Sequence, residues 1–323
     1  MNYQKKYIIS DEDDGTRLDL FLVQQSGLSR AKVQKDIKGD IVLVNNEPAK
    51  KVGQVLRPGY VITFSQETHV EIVKRVVPQE VIDGIVIVAE TPDYVVVNKP
   101  AGILMHPTQA NEPVTLASEI IKKYPEMKGV GESDVRPGIV HRIDREASGI
   151  IVMARNQKMY DHLKRQFQVR TVNKEYSVLV HGFIEKDYDL IDFSIDRGTD
   201  GKMVSRPYVK AFNLQSIRNI QDGKDSLTEI WVEKRLVRYS LLKVKIHSGR
   251  THQIRVHMYA YNHPVLGDTL YYNKKLIKNR DVTMNRLFLH AKTLGFRNLQ
   301  GEEVSYTYDL PVELQSFVDS LEK

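Results

Sequence analysis

The segment formed by residues 137–156, PGIVHRIDREASGIIVMARN, places the strongest constraint on how this chain can fold. A turn at its start leads into a charged run, and its second half contains the apolar residues 150–153. A short apolar run of this kind is typical of a buried strand. The charged half therefore lies on a loop beside buried structure, where a rigid scaffold can direct reactive groups at a substrate. The sequence thus predicts a functional loop around Asp144.

Length and composition are those of an ordinary globular protein. The 323 residues are enough for two domains, each with its own core. Apolar residues make up 41% of the chain and charged residues 27%, and no apolar run is long enough for a transmembrane helix. Residues 11–14 are acidic where a secretory signal would be apolar. We therefore expect a cytoplasmic protein with no membrane partner.

Several chemistries are excluded or disfavoured by the residue types. The chain has no cysteine, which excludes disulfides, thiol catalysis and cysteine metal sites. It lacks the patterns of serine hydrolases, P-loop nucleotidases and His-Glu-x-x-His metalloenzymes. The net charge of +6 and the pI of about 9.1 favour a polyanionic partner.

Residues 16–65 predict a compact module of two helices followed by a small hairpin sheet. The first helix starts around Leu18 and ends at Gly27, and the second is capped by Ser29 and ends at Gly39. A strand enters a turn at Asn45, and a second turn at residues 57–59 precedes the next strand. Residues 66–80 then look like a linker, which places a domain boundary near residue 75.

This order resembles the alpha-L RNA-binding module first described in a small-subunit ribosomal protein. The matching motifs are Arg17-Leu18-Asp19, Leu28-Ser29-Arg30, Val44-Asn45 and Pro58-Gly59-Tyr60, the last position often being acidic in that family. The resemblance implies an N-terminal α/β RNA-binding domain over residues 1–75. The residues that would face RNA are Arg17, Arg30, Lys32, Lys35 and Lys51. The alternative interpretation is that these lysines form a solvated helix surface that binds no ligand.

Residues 76–323 predict a second, larger domain that contains several strands. Two β-branched runs at 85–88 and 94–97 flank a turn sequence, which indicates a hairpin covered on both faces. The loop that follows is stiffened by prolines and positions Lys99 and His106 for a ligand, with a structural turn as the alternative. Residues 189–227 indicate excursions from a core with one hairpin.

The remaining elements alternate between helices and strands. Helices are expected at 115–124 and 158–170, and strands at 171–180, 228–236, 240–246, 287–296 and 303–308, before a final helix from Pro311. Lys174 and Tyr176 share one face of their strand because side chains alternate with period two. Thr251 is expected to cap a helix, which places Arg250 and Arg255 around its positive end, where anions are attracted.

The residues alone leave the chemistry of Asp144 open. His252 and His257 are five residues apart and do not share a helical face, so structural histidines are a better interpretation than a metal site. A carboxylate paired with an arginine from elsewhere stays ionised at neutral pH and can act as a nucleophile or base. The alternative for the run Arg142 to Arg145 is a salt bridge within the loop.

Four ordered motifs resemble those of the RluA/RluD-type pseudouridine synthases. They are residues 96–102 with His106-Pro107, His141-Arg142-Ile143-Asp144 with Ala147-Ser148-Gly149-Ile150, residues 170–176, and residues 249–257. Two departures stand out. Ala147 replaces the usual threonine, and the polar segment 213–226 looks longer than usual and has no assigned role.

The resemblance implies an α+β fold with a central mixed, mostly antiparallel sheet flanked by helices and loops. It also implies isomerisation of uridine to pseudouridine in RNA without a metal or cofactor. Asp144 would be the essential aspartate and Arg255 its partner. Tyr176 would be the tyrosine that stacks on the base, and acceptance of the C5 proton is a second role that stays open for it. Whether Asp144 bonds to the sugar or abstracts a proton stays open. The residues expected to bind substrate are Lys99, His106, His141, Arg142, Lys174 and Arg250.

The expected partner is large-subunit ribosomal RNA or a pre-ribosomal particle, bound by a monomer. Transfer RNA is the alternative substrate. A second hypothesis, from another functional class, is a non-catalytic RNA-binding protein of ribosome assembly that keeps the fold. Such a protein would not need Asp144, Tyr176 and Arg255 together, so their presence favours the enzyme. A His/Asp metal hydrolase is disfavoured by the histidine spacing.

Overall fold

The computed structural model describes residues 6–64, 76–108, 112–198, 201–205, 223–277, 281 and 284–321, without the side chain of Ala31. The chain divides into two compact units, Met1–Arg75 and Val76–Lys323. Most of the linker expected at 66–80 and residues 213–222 of the polar segment lie outside the described residues. No helix among the described residues is long and apolar enough to cross a membrane.

The first unit consists of two helices and a small sheet. Its elements are β1 (Lys6–Ile8), a 3-10 helix (Asp11–Asp13), α1 (Leu18–Ser26), α2 (Arg30–Lys38), β2 (Val42–Val44), β3 (Glu47–Pro48) and β4 (Val61–Phe64). The sheet order is β1-β4-β2-β3. Leu22, Ile37 and Ile62 share one buried cluster that joins helices to sheet. The predicted arrangement of helices and hairpin is confirmed.

The termini of these helices follow from their sequence. Gly27 ends α1 in the left-handed region, with φ of 67°, where glycine has no Cβ to clash. The Ser29 hydroxyl accepts from the backbone N–H of Lys32 and caps α2. Asn45 and Asn46 both have positive φ in the turn between β2 and β3, as a two-residue hairpin turn requires.

The second unit is built on a large mixed sheet. Its strands are β5 (Val86–Glu90), β6 (Tyr94–Lys99), β7 (Ser148–Ala154), β8 (Asn173–His181), β9 (Tyr188–Asp192), β10 (Ile195–Arg197), β11 (Met203–Ser205), β12 (Leu227–Leu236), β13 (Tyr239–Ile246), β14 (Leu289–Arg297) and β15 (Glu303–Thr307). The main sheet has the order β5-β6-β7-β14-β8-β13-β12-β9, with β15 also on β14, and β10 and β11 form a separate hairpin. The predicted mixed, mostly antiparallel sheet is confirmed.

Helices and two apolar clusters cover this sheet. The helices are α3 (Gln79–Asp83), α4 (Leu116–Lys123), α5 (Gln157–Gln168), α6 (Gln253–Ala260) and α7 (Val312–Leu321), with a 3-10 helix at Pro125–Met127. Val97 and Val178 belong to one cluster, whereas Val96 and Leu163 belong to the other. Alternate residues of β6 therefore enter different clusters, which explains its continuous apolar sequence.

Two details differ from the sequence-based expectations. The β5 strand is only partly covered, because it lies at the edge of the sheet and pairs with β6 alone. Of the predicted hairpin, therefore, only β6 is buried throughout. The end of the expected linker is also structured, since residues 79–83 form α3.

A short parallel seam joins the two parts of the sheet. Ser148 pairs with His290 and Gly149 with Ala291, and the other paired strands are antiparallel. The Ser148 hydroxyl accepts from Nη2 of Arg286 at 2.6 Å and lies 2.9 Å from Nδ1 of His290. Gly149 has φ of 126°, and a Cβ there would overlap the backbone of Ala291. The close approach of β7 to β14 therefore requires glycine.

Replacing Gly149 with alanine should destabilise the second unit by about 3 kcal/mol or more, because overlap with Ala291 adds to the strain of positive φ. Gly301→Ala is the matched control, since Gly301 has φ of 85° but no atom near the added Cβ, and we expect a loss of about 1 kcal/mol. Urea unfolding followed by the fluorescence of Trp231, the one tryptophan, measures both. Equal losses for the two variants would contradict the proposed backbone overlap.

Candidate active site

Three segments that are distant in sequence form one cleft in the second unit. They are the loop before β7, the strand β8, and the loop at the start of α6. The residues that line it are Arg142, Ile143, Asp144, Ala147, Tyr176, Ile246, residues 249–255 and Leu289. The fold thus brings Asp144, Tyr176 and Arg255 together, along with Arg142 and Arg250.

The centre of the cleft is a buried arginine held between two aspartates. Nη1 of Arg255 donates to Asp144 Oδ2 at 3.1 Å, and Nε and Nη2 donate to the carboxylate of Asp268 at 2.7 and 2.8 Å. The Arg255 side chain is 1% exposed. Burial acts to lower its pKa, but the hydrogen bonds and charge of Asp268, followed by Asp144, raise that pKa well above its ordinary value. Arg255 is therefore a permanent cation beside Asp144.

Asp268 was missed by the sequence analysis. Its carboxylate is buried and also accepts from the backbone N–H groups of Leu270 and Tyr271 at 2.8 and 3.0 Å. These bonds fix the carboxylate that orients the guanidinium of Arg255. One signal in the sequence was available: a buried arginine needs its charge compensated, and Asp268 follows Gly267 in the turn beyond α6.

Asp144 and Tyr176 face the cleft in different electrostatic states. The Asp144 side chain is 16% exposed, so a ligand in the cleft can reach it. Tyr176 is buried between β13 and β14, and burial, followed by the charge of Asp144, raises the pKa of its hydroxyl. The phenol is therefore neutral at physiological pH, below a carboxylate that is paired with Arg255.

Lys99 lies beneath the loop that carries Asp144. Its ammonium donates to the carbonyl oxygens of Pro100, Ile103 and Arg145 at 2.8, 3.0 and 3.2 Å, and its side chain is fully buried. The loop is tied further because Gly102 N–H donates to the Arg145 carbonyl at 2.7 Å. All three N–H donors of Lys99 are thus engaged. Lys99 thus holds the loop together from inside the protein. It is not exposed for the predicted contact with substrate.

His141 is anchored in a similar way. Its Nε2 accepts from the backbone N–H of Val152 at 3.0 Å, and its ring stacks on Phe167 with 4.6 Å between centroids. Burial, followed by the charge of Lys174, lowers the pKa of His141 to about 3, so the ring is neutral. His141 therefore fixes the start of the loop to β7, and only its other edge is left for the predicted substrate contact.

A second groove adjoins the cleft and shares Arg142, Tyr176, Ile246 and Gly249 with it. Its accessible volume is about 460 Å³. The other lining residues are His106, Arg136, Ile139, Val140, His141, Tyr160, Lys164, Phe167, Gln168 and Lys174. The predicted residues His106 and Lys174 thus lie in this groove, beside the cleft that holds Asp144.

The cations of this groove are largely without acidic partners. Among the described residues, Arg136, Arg142 and Lys174 form no ion pair, whereas Lys164 pairs with Glu132. Nζ of Lys174 donates a long hydrogen bond of 3.4 Å to the carbonyl oxygen of Ser248 and lies 5.9 Å from the centroid of the Phe167 ring. Burial, followed by the charge of Arg170, lowers the pKa of Lys174 to about 8. The groove is therefore suited to an anion.

The start of α6 differs from the prediction. Thr251 is not its cap, because His252 occupies the N-cap position with φ of 54° and caps nothing with its side chain. Gln253 organises the loop instead: its Oε1 accepts from Ser248 Oγ at 2.7 Å and from Arg250 N at 3.2 Å. The predicted residue Arg250 lines the cleft as expected from its position.

The histidines near the cleft do not form a metal site among the residues that the structure describes. Both ring nitrogens of His257 are engaged, with Thr228 Oγ1 and the carbonyl oxygen of Phe193, each at 2.9 Å. His252 lies on the cleft, with Nε2 4.0 Å from Asp144 Oδ1. The two histidines thus make separate contacts, His257 inside the protein and His252 at the cleft.

In the first unit, a buried carboxylate holds two arginines at the surface. Asp19 accepts from Arg17 at 2.9 Å, from Arg30 at 3.2 Å and from Gln34 at 3.2 Å. Burial acts to raise the pKa of Asp19, but the hydrogen bonds from Arg17, Gln34 and Arg30 lower it to about 2. Both arginines are about half exposed. Of the other residues predicted to bind RNA, Lys32 pairs with Asp36, and Lys35 and Lys51 are exposed.

Asp268→Asn should destabilise the second unit by about 3 kcal/mol, because Arg255 loses its bidentate partner inside the protein. Asp144→Asn is the matched variant, since Arg255 keeps Asp268 and Asp144 is partly exposed, and we expect a change below about 1 kcal/mol. Urea unfolding monitored by Trp231 fluorescence compares the two. A larger loss for Asp144→Asn would contradict the assignment of Asp268 as the structural partner.

Comparison with known proteins agrees with this arrangement. Residues 93–260 match the family model described as RNA pseudouridylate synthase, and residues 16–62 match the S4 domain. An RNA pseudouridine synthase of Aquifex aeolicus is 38% identical over 80% of this chain and 78% of the relative. Ribosomal large subunit pseudouridine synthase D of Buchnera aphidicola is 30% identical over 94% of each chain.

A solved structure supports the same conclusion. The human RNA pseudouridylate synthase domain containing 1 matches with a TM-score of 0.56 and 26% identity, over 75% of this chain and 96% of that chain. The family match covers the strands and loops that carry Asp144, Tyr176 and Arg255. The chain therefore belongs to the RNA pseudouridine synthase family and combines its isomerase domain with an N-terminal S4 domain.

Proposed function

We propose that this chain isomerises specific uridines of large-subunit ribosomal RNA, with Asp144 as the catalytic group and no cofactor. One observation carries the proposal: Asp144 is paired with the buried cation Arg255 in a cleft that Tyr176 also lines. The ribosomal substrate is supported by the relative from Buchnera aphidicola, whose name specifies the large ribosomal subunit.

The isomerisation breaks the bond from N1 of uracil to C1′ of the ribose and joins C5 to C1′. A carboxylate promotes this step by attacking C1′ or by removing a ribose proton, and either role requires the ionised form. Arg255 holds the Asp144 carboxylate in position by its charge and its hydrogen bond. The overall reaction is redox-neutral, so a positioned carboxylate meets its chemical demand.

Tyr176 is suited to hold the base. Its ring lines the cleft, and its raised pKa keeps the hydroxyl protonated. A neutral aromatic ring provides a stacking surface for a nucleobase. A phenolate that accepts the C5 proton is disfavoured by the same pKa. We therefore assign Tyr176 to stacking rather than to proton transfer.

A uridine in folded RNA must leave its stack before it reaches this cleft, at a cost of a few kcal/mol. Arg142 is exposed where the cleft meets the groove, and among the described residues it has no ion pair. It is thus available to occupy the position that the uridine leaves. Phosphate contacts by the groove, and by Arg17 and Arg30 of the S4 domain, supply binding free energy.

Asp144→Asn should abolish pseudouridine formation, by a factor of about 10⁴ or more, since an amide replaces the reactive carboxylate. RNA affinity should stay within about twofold, because phosphate contacts dominate binding. Pseudouridine mapping on ribosomal RNA and transfer RNA, together with filter binding, provides the measurements. Asp161→Asn, an exposed carboxylate change on α5, is the control and should retain full activity.

Each outcome of that experiment has a separate meaning. Residual modification by Asp144→Asn near the wild-type rate would remove Asp144 from the mechanism. Modification of transfer RNA alone would replace the ribosomal substrate by the alternative. Tight RNA binding by a wild-type chain without any modification would favour the non-catalytic assembly protein.

Lys174→Met should weaken RNA binding by about fivefold at low salt and reduce the salt slope by about 1, because one phosphate contact is lost. The pH dependence has a definite sign. Since the pKa of Lys174 is about 8, wild-type affinity should fall as pH rises above about 8, while the variant loses this dependence. Lys158→Met, an exposed change on α5, is the control. Identical pH profiles for Lys174→Met and wild type would exclude Lys174 from phosphate binding.

A further inference from the structure

We propose that His252 is a further catalytic residue, whose Nε2–H donates a hydrogen bond to a carbonyl oxygen of the uracil as its bond to the ribose breaks. The inference rests on the proposed function. Its basis is a chain of polar contacts that runs from the backbone of β11 through Tyr271 to His252 and ends in the cleft beside Asp144.

Tyr271 fixes the tautomer of His252. The Tyr271 side chain is buried, and its hydroxyl oxygen lies 3.1 Å from the backbone nitrogen of Met203 and 3.0 Å from Nδ1 of His252. The amide can only donate, so the hydroxyl oxygen accepts from Met203. A buried O–H also needs an acceptor, and among the described residues that acceptor is Nδ1. In a neutral imidazole with Nδ1 as acceptor, Nε2 carries the proton.

The backbone directs this N–H into the cleft. His252 has φ of 54° and ψ of 24° at the N-cap of α6, a left-handed conformation uncommon for residues other than glycine. Its side chain is one quarter exposed, on the cleft. The 4.0 Å between Nε2 and Asp144 Oδ1 is too long for a hydrogen bond. The N–H is therefore open to a ligand atom next to the carboxylate.

A neutral donor suits this position. Burial lowers the pKa of His252, and this effect outweighs the opposing charge of Asp144. An imidazolium at this distance would compete with Arg255 for Asp144 and weaken the reactive carboxylate. A neutral imidazole offers the hydrogen bond without that competition. The same contact to Tyr271 holds the ring edge-on, with ring centroids 5.6 Å apart.

The chemistry of the step explains why a donor is needed. When the bond from N1 to C1′ breaks, its electron pair stays with the uracil, and the negative charge spreads to the two carbonyl oxygens of the base. A fixed N–H stabilises this charge more than it stabilises the bound uridine, which lowers the barrier. The proton stays on Nε2 throughout. The role is therefore the same whether Asp144 attacks C1′ or removes a ribose proton.

The tautomer can be tested without substrate. In the full chain labelled with ¹⁵N-histidine, two-bond ¹H–¹⁵N correlations at neutral pH should show His252 as the Nε2–H tautomer, assigned by loss of its signals in His252→Gln. Tyr271→Phe should shift these signals towards the Nδ1–H form. A wild-type signal of the Nδ1–H tautomer or of imidazolium would overturn the inference, whatever RNA the enzyme modifies.

The catalytic role is tested by single-turnover rates on the modified RNA. We expect His252→Ala to lower the rate about 100-fold and Tyr271→Phe about tenfold, with RNA affinity unchanged within about twofold. His252→Gln, which keeps an N–H donor, should recover part of the rate. The double variant should be no slower than His252→Ala, because Tyr271 acts through His252. Tyr259→Phe, a neighbouring exposed hydroxyl, is the control.

The outcomes separate this inference from the proposed function. A wild-type rate for His252→Ala, or multiplicative losses in the double variant, would overturn the role of His252 while leaving the isomerase intact. A wild-type chain that modifies no ribosomal or transfer RNA would overturn both.

Discussion

The ion pair between Arg255 and its two aspartates is the interaction on which the catalytic domain depends. Inside the protein a guanidinium is tolerated only with its charge compensated, and Asp268 provides that compensation through two hydrogen bonds. The third donor atom is then free for Asp144. Asp268 thus compensates the buried charge, so Asp144 can stay partly exposed on the cleft without destabilising the core.

Local patterns in the sequence were sufficient for most of the secondary structure. Gly27, Ser29 and Gly39 mark helix ends by capping chemistry that acts over three or four residues, and apolar, largely β-branched runs mark β6 and β7. Grouping Asp144 with Tyr176 and Arg255 needed the family resemblance. The catalytic roles that the resemblance implies for these residues stay predictions, although the fold does bring the three residues into one cleft.

The residues that the sequence analysis missed or misread depend on tertiary contacts. Lys99 resembles a free loop cation until the fold supplies three carbonyl oxygens. Asp268 becomes significant only once α6 and the following turn place it on Arg255. At the start of α6, His252 in the left-handed region occupies the N-cap position that was expected for Thr251. Contacts of this kind join segments that are distant in the sequence, so residue types within a single segment do not reveal them.

The two-residue parallel seam between β7 and β14 has a mechanical consequence. Asp144 enters the cleft from the side of β7, whereas Tyr176 and Arg255 belong to the side of β8 and α6. Asp144 and the two residues grouped with it are therefore carried on opposite sides of this seam, which is reinforced by contacts of Ser148, His290 and Arg286. The relative position of these groups thus depends on the contacts between the two parts of the sheet, which are the seam and the apolar clusters that span it. A change that loosens these contacts is expected to move Asp144 relative to Tyr176 and Arg255.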